Sequence, residues 1–309
     1  MSDDDTLDAT APKRRRAVKA DQPAAVGKVR RLQTLGTSSI VYVPVILKLF
    51  RDRWRPGAST VVFSLDDVRT AVEAVRAESQ NPDSISSRNP ADVVYRMRSR
   101  TKLPAEILDK GFHVLRAVGR GRYQFEKASS GTIEVPVKEL IPTIDHTPMP
   151  VRRLLPATMA EMDEQALLSV VSYCRLLDHF TGMTVYRLRS HVRKSVPGIG
   201  QAELDAIDVG IAASENDLPV VFPTEAKAVS DELNRVQIFN MIEYARYYYP
   251  GLTVRPLAVK VDYQSAVHLM EFNLAARPSD LRIIRSASYA INTSDAQLEM
   301  IRATGVPRQ

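Results

Sequence analysis

From about Ser38 to Ala128 apolar residues recur at helical spacing, with Val45 and Leu49 on one stripe and Val68, Val72 and Val75 on another. Ser64 stands ahead of Leu65, Asp66 and Asp67 as an N-cap followed by first-turn acids. Asn89 followed by Pro90 opens another helix, since proline fits the first helical position, and that helix carries Tyr95, Arg96, Arg98 and Arg100. The pattern then changes to a strand, a turn and a returning strand. Phe112, Val114 and Leu115 lead into Gly119 and Gly121, and Tyr123 and Phe125 return, with Arg116, Arg120 and Arg122 around the turn.

Helices, a basic helix and a basic hairpin, in that order over residues 36–130, predict an N-terminal winged helix-turn-helix. In such a domain the basic helix enters the DNA major groove and hairpin arginines reach phosphates or the minor groove. The other reading of the same pattern is a dimerisation module with solvated arginines. Residues 131–158 are rich in proline (Pro136, Pro142, Pro148, Pro150, Pro156) and predict an extended connector, with a strand within Ile133–Ile141. Asp163–His179 then reads as one amphipathic helix, with Leu167, Val170, Val171, Cys174 and Leu177 as its buried stripe.

The segment Gly198–Gln237 reads strand, turn, strand, helix. Alternation places Glu203, Asp205, Ile207 and Val209 on one strand face, and Ser214, Glu215, Asn216 and Asp217 form the turn. The strand Leu218–Ala228 ends in Glu225 and Lys227, side by side on one face. Two carboxylates and a lysine thus converge at the ends of neighbouring strands. Such carboxylates suit Mg²⁺, which binds through one or two of them plus water and substrate phosphate oxygens. The alternative is a strand-end ion pair between Glu225 and Lys227. Asp208 is the rival first acid, on the opposite face from Asp205, and the reading prefers Asp205. Glu203 either binds a second metal, holds a water or is simply solvated.

The helix Glu232–Tyr249 carries Leu233, Val236, Ile238, Phe239, Ile242 and Tyr244 toward the sheet, and Tyr247, Tyr248 and Tyr249 close it as core-edge packing rather than base-stacking groups. Strands over Thr253–Val261 and Val267–Asn273 follow. Arg187, Arg189, His191, Arg193 and Lys194 either grip phosphates or form a solvated helix face.

The chain has 309 residues, enough for about two domains, and 42 basic against 36 acidic residues give a net charge of +6. Residues 1–35 run from Asp3, Asp4 and Asp5 to Lys13, Arg14, Arg15 and Arg16 without apolar periodicity, which predicts a disordered basic arm. That arm is either a solvated tail or a DNA-tracking segment. There is no GxxxxGK[ST], GxGxxG or GxSxG, which disfavours P-loop NTPases, dinucleotide enzymes and hydrolases with a nucleophile elbow. The single cysteine, Cys174, forms no internal disulfide, and the five histidines show no ligand spacing. These features, with no apolar run of membrane-spanning length and an acidic start unlike a signal peptide, predict a cytoplasmic protein without membrane contact.

On ELD at Glu203–Asp205 and EAK at Glu225–Lys227, the chain resembles the PD-(D/E)XK nuclease superfamily, the restriction-endonuclease-like proteins. The stretch from about Asp163 to VQIFN also looks like bacterial members of that group, extending the likeness over most of the C-terminal half. Leu204 stands where the motif's proline would be. The resemblance implies an α/β (α+β) fold over residues 159–309, a mixed sheet flanked by helices. It implies Asp205, Glu225 and the Ala226 carbonyl as metal ligands, Lys227 as water-positioning base or electrostatic stabiliser, and Gln237 near DNA or the active water. The expected protein is a Mg²⁺-dependent endonuclease acting on double-stranded DNA, of the type II restriction kind, as a homodimer with a cognate DNA methyltransferase as partner. A repair or structure-selective nuclease, and a DNA-binding regulator with a degenerate nuclease fold, are the alternatives.

Overall fold

The structure is a computed structural model that describes residues 36–79, 89–99, 102–211, 218–292 and 299. The expected basic arm, Arg100 and the turn Ser214–Asp217 lie outside the described residues. The described residues from Thr37 onward belong to one compact unit.

The N-terminal part runs α1 (Gly36–Arg53), β1 (Thr60–Ser64), α2 (Leu65–Glu78), α3 (Pro90–Ser99), the short α4 (Ala105–Leu108), β2 (Phe112–Gly119) and β3 (Arg122–Lys127). Ser64 caps α2 through a reciprocal capping box with Asp67, so two orphan N–H groups of the helix start are satisfied locally. The β2–β3 turn needs a left-handed residue, and Gly121 supplies it with φ 65°. The three strands pair in the order β1-β3-β2. Val45, Leu49 and Phe50 from α1 meet Val68, Val93, Phe112 and Phe125 in one core, where Phe50 packs edge-on against both Phe112 and Phe125. Each such side chain, fully removed from water, contributes about 1.5–3 kcal/mol.

The C-terminal part is a mixed sheet flanked by helices. Its elements are β4 (Thr132–Ile133), β5 (Leu140–Ile144), α5 (Met149–Arg152), α6 (Glu164–Tyr173), α7 (Leu176–Thr181), β6 (Thr184–Val196), β7 (Gly200–Ile211), β8 (Val220–Lys227), β9 (Leu233–Asn234), α8 (Arg235–Tyr248), β10 (Thr253–Val254), β11 (Leu257–Val261), β12 (Ala266–Phe272) and β13 (Ile283–Asn292). The main sheet has the order β5-β13-β12-β11-β8-β7-β6, and β10 also pairs with β8. β6, β7 and β8 are antiparallel neighbours, whereas β8 and β11 are parallel and joined through α8. Helices α6 and α7 cover one face through Leu167, Val170, Val171 and Phe180. Helix α8 covers the other through Ile238, Phe239 and Ile242. Among the described residues no helix is long and apolar enough to cross a membrane.

Several expected boundaries change. Asp163–His179 is two helices, because Arg175 adopts a left-handed conformation (φ 53°) and turns the chain between α6 and α7. The buried stripe, Cys174 included, nevertheless faces the core. The strand expected within Ile133–Ile141 is split into β4 and β5 around Pro136, and β5 takes an edge position that tolerates Pro142. Helix α8 starts at Arg235 rather than Glu232, since Leu233 and Asn234 pair with β4 and the Asn234 side chain caps Val236 N–H at 2.8 Å. Arg255 and Pro256 divide Thr253–Val261 into β10 and β11. Arg187–Lys194 lies on edge strand β6, not on a helix.

Candidate active site

The β7–β8 ladder ends at the pair Ala206–Thr224. Past that point the Asp205 carboxylate takes over, accepting the Ala226 N–H at 2.8 Å. The N–H and C=O of one strand residue face the same edge, so the Ala226 carbonyl also turns toward β7. One residue to either side of Ala226 lie Glu225 and Lys227, both buried, with Nζ of Lys227 2.7 Å from Oε1 of Glu225. Glu164, at the first position of α6, approaches Lys227 Nζ at 3.7 Å. The sequence reading did not single out Glu164. Its place directly after the capping Asp163 made it look like one more first-turn acid, and only the packing of α6 against β8 brings it here.

Three carboxylates therefore face one ammonium. Burial, with Asp205 and Glu164 nearby, pushes the Glu225 carboxyl up to about 7, although Lys227 pulls the other way. Glu164 is also raised, by burial first, with Lys227 opposing and Asp205 adding to the effect. Burial pulls the Lys227 ammonium down, but Glu225, Asp205 and Glu164 more than offset it and the net shift is upward. Fully ionised, the cluster would carry two surplus negative charges, the charge of one divalent cation. Among the described residues no three His, Cys, Asp or Glu side chains already converge as a ligand set. The donors present, carboxylates plus a carbonyl, fit Mg²⁺, which takes few protein oxygens and keeps its waters.

The expected shared face of Glu203, Asp205, Ile207 and Val209 does not form. Ala202 and Leu204 pack with Ile207 toward α8, while Ala206 packs on the opposite face, so the alternation breaks around Asp205. Across the strand, His191 has a left-handed φ of 50°, and the β6–β7 pairing passes from Ser190–Ala206 to Val192–Leu204. Glu203 ends up exposed, held by Gln201 at 2.8 Å and Arg193 at 3.1 Å rather than in the acid cluster. Asp208 is buried elsewhere, bonded to Arg187 and Thr224.

Lys227, Glu164 and Gln237 line a cavity of about 890 Å³ that is also lined by Arg98, Lys102 and His113 of the N-terminal part. Arg98 and Arg96 are only half-exposed, stacked 5.9 Å from the rings of Tyr95 and Tyr42, so α3 does not project its described arginines freely into solvent. Arg116 is also spent internally, paired with Glu126 at 3.0 Å and set over the Phe239 ring. Arg120, Arg122, Arg189, His191 and Arg193 are exposed.

Comparison of the chain with protein-family models, with curated proteins and with solved structures gives no match.

Proposed function

We propose that the chain is a Mg²⁺-dependent DNA endonuclease with a restriction-endonuclease-like core and an N-terminal winged helix. The observation that carries this reading is the Asp205 carboxylate reaching the Ala226 amide beside Glu225 and Lys227, in a cluster with three carboxyl groups to one ammonium. The core reading is supported by the mixed sheet with helices on both faces and acids at the strand ends. The winged-helix reading is supported by the chain order α1, β1, α2, α3, α4, β2, β3 and the sheet order β1-β3-β2.

In this proposal Asp205, Glu225 and the Ala226 carbonyl would hold the cation, with Glu164 as a further carboxylate of the cluster. When bound, Mg²⁺ polarises a phosphoryl oxygen and lowers the pKa of its water. Lys227, whose pKa is raised, keeps its proton at neutral pH, which favours electrostatic stabilisation of developing phosphate charge over a role as base. Gln237 orients substrate or water from the cavity wall. Cutting both strands needs two such sites, so the proposal includes a homodimer, and a restriction role adds a cognate methyltransferase. Incubation of supercoiled plasmid with the full chain tests the reading: nicking with Mg²⁺ that stops with EDTA and with Asp205→Ala supports it, and intact plasmid under all conditions rejects it.

A further inference from the structure

Strand β7 pairs with β6 at every residue from Gly200 to Ile211 except Asp205. The register sets His191 opposite that residue, between the pairs Ser190–Ala206 and Val192–Leu204, and His191 has a left-handed φ of 50°. This conformation turns the His191 backbone groups out of the ladder, so the backbone of Asp205 is not held from the β6 side. The His191 ring is exposed and makes no hydrogen bond or ion pair among the described residues, so the position contributes backbone shape rather than a side-chain contact. On its other side β7 leaves β8 at the same place, where the ladder ends at Ala206–Thr224. A continued antiparallel ladder would set Leu204 opposite Ala226 and occupy the Ala226 N–H and C=O with the Leu204 backbone. Instead the Asp205 carboxylate accepts that N–H at 2.8 Å, and the Ala226 carbonyl is left without its Leu204 partner.

A carboxylate and a free carbonyl are oxygen donors of the kind a hard divalent cation takes, and here both depend on the interrupted ladder. Local breaks of this sort re-aim side chains and are over-represented beside active sites. Resting on the metal site of the nuclease reading, we propose that His191 is a positioning residue: its left-handed backbone opens the sheet at Asp205 and so presents the Asp205 carboxylate and the Ala226 carbonyl to a divalent cation. His191 acts through Asp205 and by its backbone, not as a phosphate contact of its imidazole. Histidine enters the left-handed region more readily than most residues with a Cβ, whereas a β-branched residue there is a genuine outlier. Valine or threonine at this position therefore drives β6 back to extended backbone, restores pairing opposite Asp205 and lets Leu204 compete for Ala226.

The test reads Mn²⁺ binding to the full chain without DNA, from the loss of the free-ion electron paramagnetic resonance signal, with Asp205→Asn as the reference for a lost site. His191→Val is expected to weaken Mn²⁺ binding roughly tenfold or more, the usual cost of losing a group that orients a metal ligand. His191→Gly removes the imidazole yet takes the same φ freely, and is expected to bind within about twofold of wild type. His191→Thr, β-branched but polar on an exposed edge, repeats the first measurement should valine impair folding, which thermal melts of all variants check. Three results overturn the proposal: wild-type affinity in a folded His191→Val or His191→Thr protein, a loss in His191→Gly equal to that in His191→Val, or no Asp205-dependent Mn²⁺ binding in the wild type. A plasmid assay on the same proteins separates this inference from the nuclease reading. Mn²⁺ binding that needs both Asp205 and a left-handed residue at 191, without nicking, keeps the positioning role and removes the nuclease. Nicking by His191→Val at the wild-type Mg²⁺ requirement does the reverse.

Discussion

Two buried glutamates sit in the main sheet and have opposite surroundings. Glu271 on β12 receives both Arg255 (2.7 and 2.9 Å) and Arg285 (2.8 Å). Burial alone would raise its pKa, but the two guanidiniums outweigh it and hold the carboxyl below its usual range. Arg255 and Arg285 themselves lie over the rings of Phe222 and Phe180, so that cluster is complete in charge and packing. Glu225 on β8 has one ammonium and two neighbouring acids, and its pKa moves the other way. A structural ion cluster is balanced within the fold. An unbalanced one, opening onto a cavity, needs something from outside, and that asymmetry makes Glu225 rather than Glu271 the functional candidate.

The largest difference is expected in cleavage. Glu225→Gln should lower Mg²⁺-dependent nicking by at least roughly 100-fold, as removal of a group that acts on transition-state charge does. Glu271→Gln, assayed well below its melting temperature, should nick plasmid at close to the wild-type rate. Comparable losses in both would erase the distinction. Within the same assay Asp205→Asn should behave as Glu225→Gln, and Asp208→Asn, whose partners are Arg187 and Thr224, should keep cleavage.

Stability should order the two glutamates in reverse. Glu271→Gln leaves two guanidiniums without their carboxylate and should cost about 3 kcal/mol, tempered because Arg285 is partly solvated. Glu225→Gln relieves repulsion and should leave stability unchanged or raised at pH 8. Urea denaturation midpoints of the two variants check this, and a Glu225→Gln protein less stable than Glu271→Gln would contradict it.

The pH dependence follows with the sign fixed by the direction of each shift. Between the ordinary value of 4.5 and about 7, folded Glu225 keeps a proton that the unfolded chain releases, so its contribution to stability falls as pH rises through that window. The full span is worth on the order of 3 kcal/mol. Glu271 contributes the opposite slope: its stabilisation is present above the ordinary carboxyl value and is lost as pH falls through its depressed one. Denaturation of wild type and Glu225→Gln at pH 5 and pH 8 isolates the first slope; an identical pH trend in both proteins would place Glu225's proton elsewhere.

The Glu225 side of this contrast was legible along the chain, whereas the Glu271 cluster was not, because Arg255, Glu271 and Arg285 come together only through strand pairing. Alternating patterns marked the strands bearing Asp205, Glu225 and Lys227, and capping chemistry marked the starts of α2 and α3 at Ser64 and Pro90. Parity failed on β7 because it assumes regular pairing, and the left-handed His191 opposite Asp205 leaves no periodic trace in the sequence. Glu164 was hidden because its partner lies 63 residues away in sequence, at Lys227, and helix docking is not written in local spacing. Arg96, Arg98 and Arg116 read as exposed for a similar reason. A run of arginines signals charge, but whether Tyr42, Tyr95 or Phe239 covers it depends on tertiary packing.

The smallest effect belongs to Glu203, which separates adjacency in sequence from membership of the cluster. It is two residues from Asp205, yet its side chain is about half exposed and pairs with a still more exposed Arg193 at 3.1 Å, while Gln201 holds the same oxygen. Solvent and salt screen such a pair, so its net worth is about 0–1 kcal/mol. Had regular alternation held through Asp205, Glu203 would stand beside it as a second metal ligand and its loss would rival that of Asp205. The broken alternation instead predicts that Glu203→Ala changes the nicking rate by no more than roughly twofold and stability by about 0.5 kcal/mol or less. Measuring nicking by Glu203→Ala across a Mg²⁺ titration decides between the two arrangements: a rightward shift in the Mg²⁺ requirement would return Glu203 to the site and require β7 to run straight past Asp205.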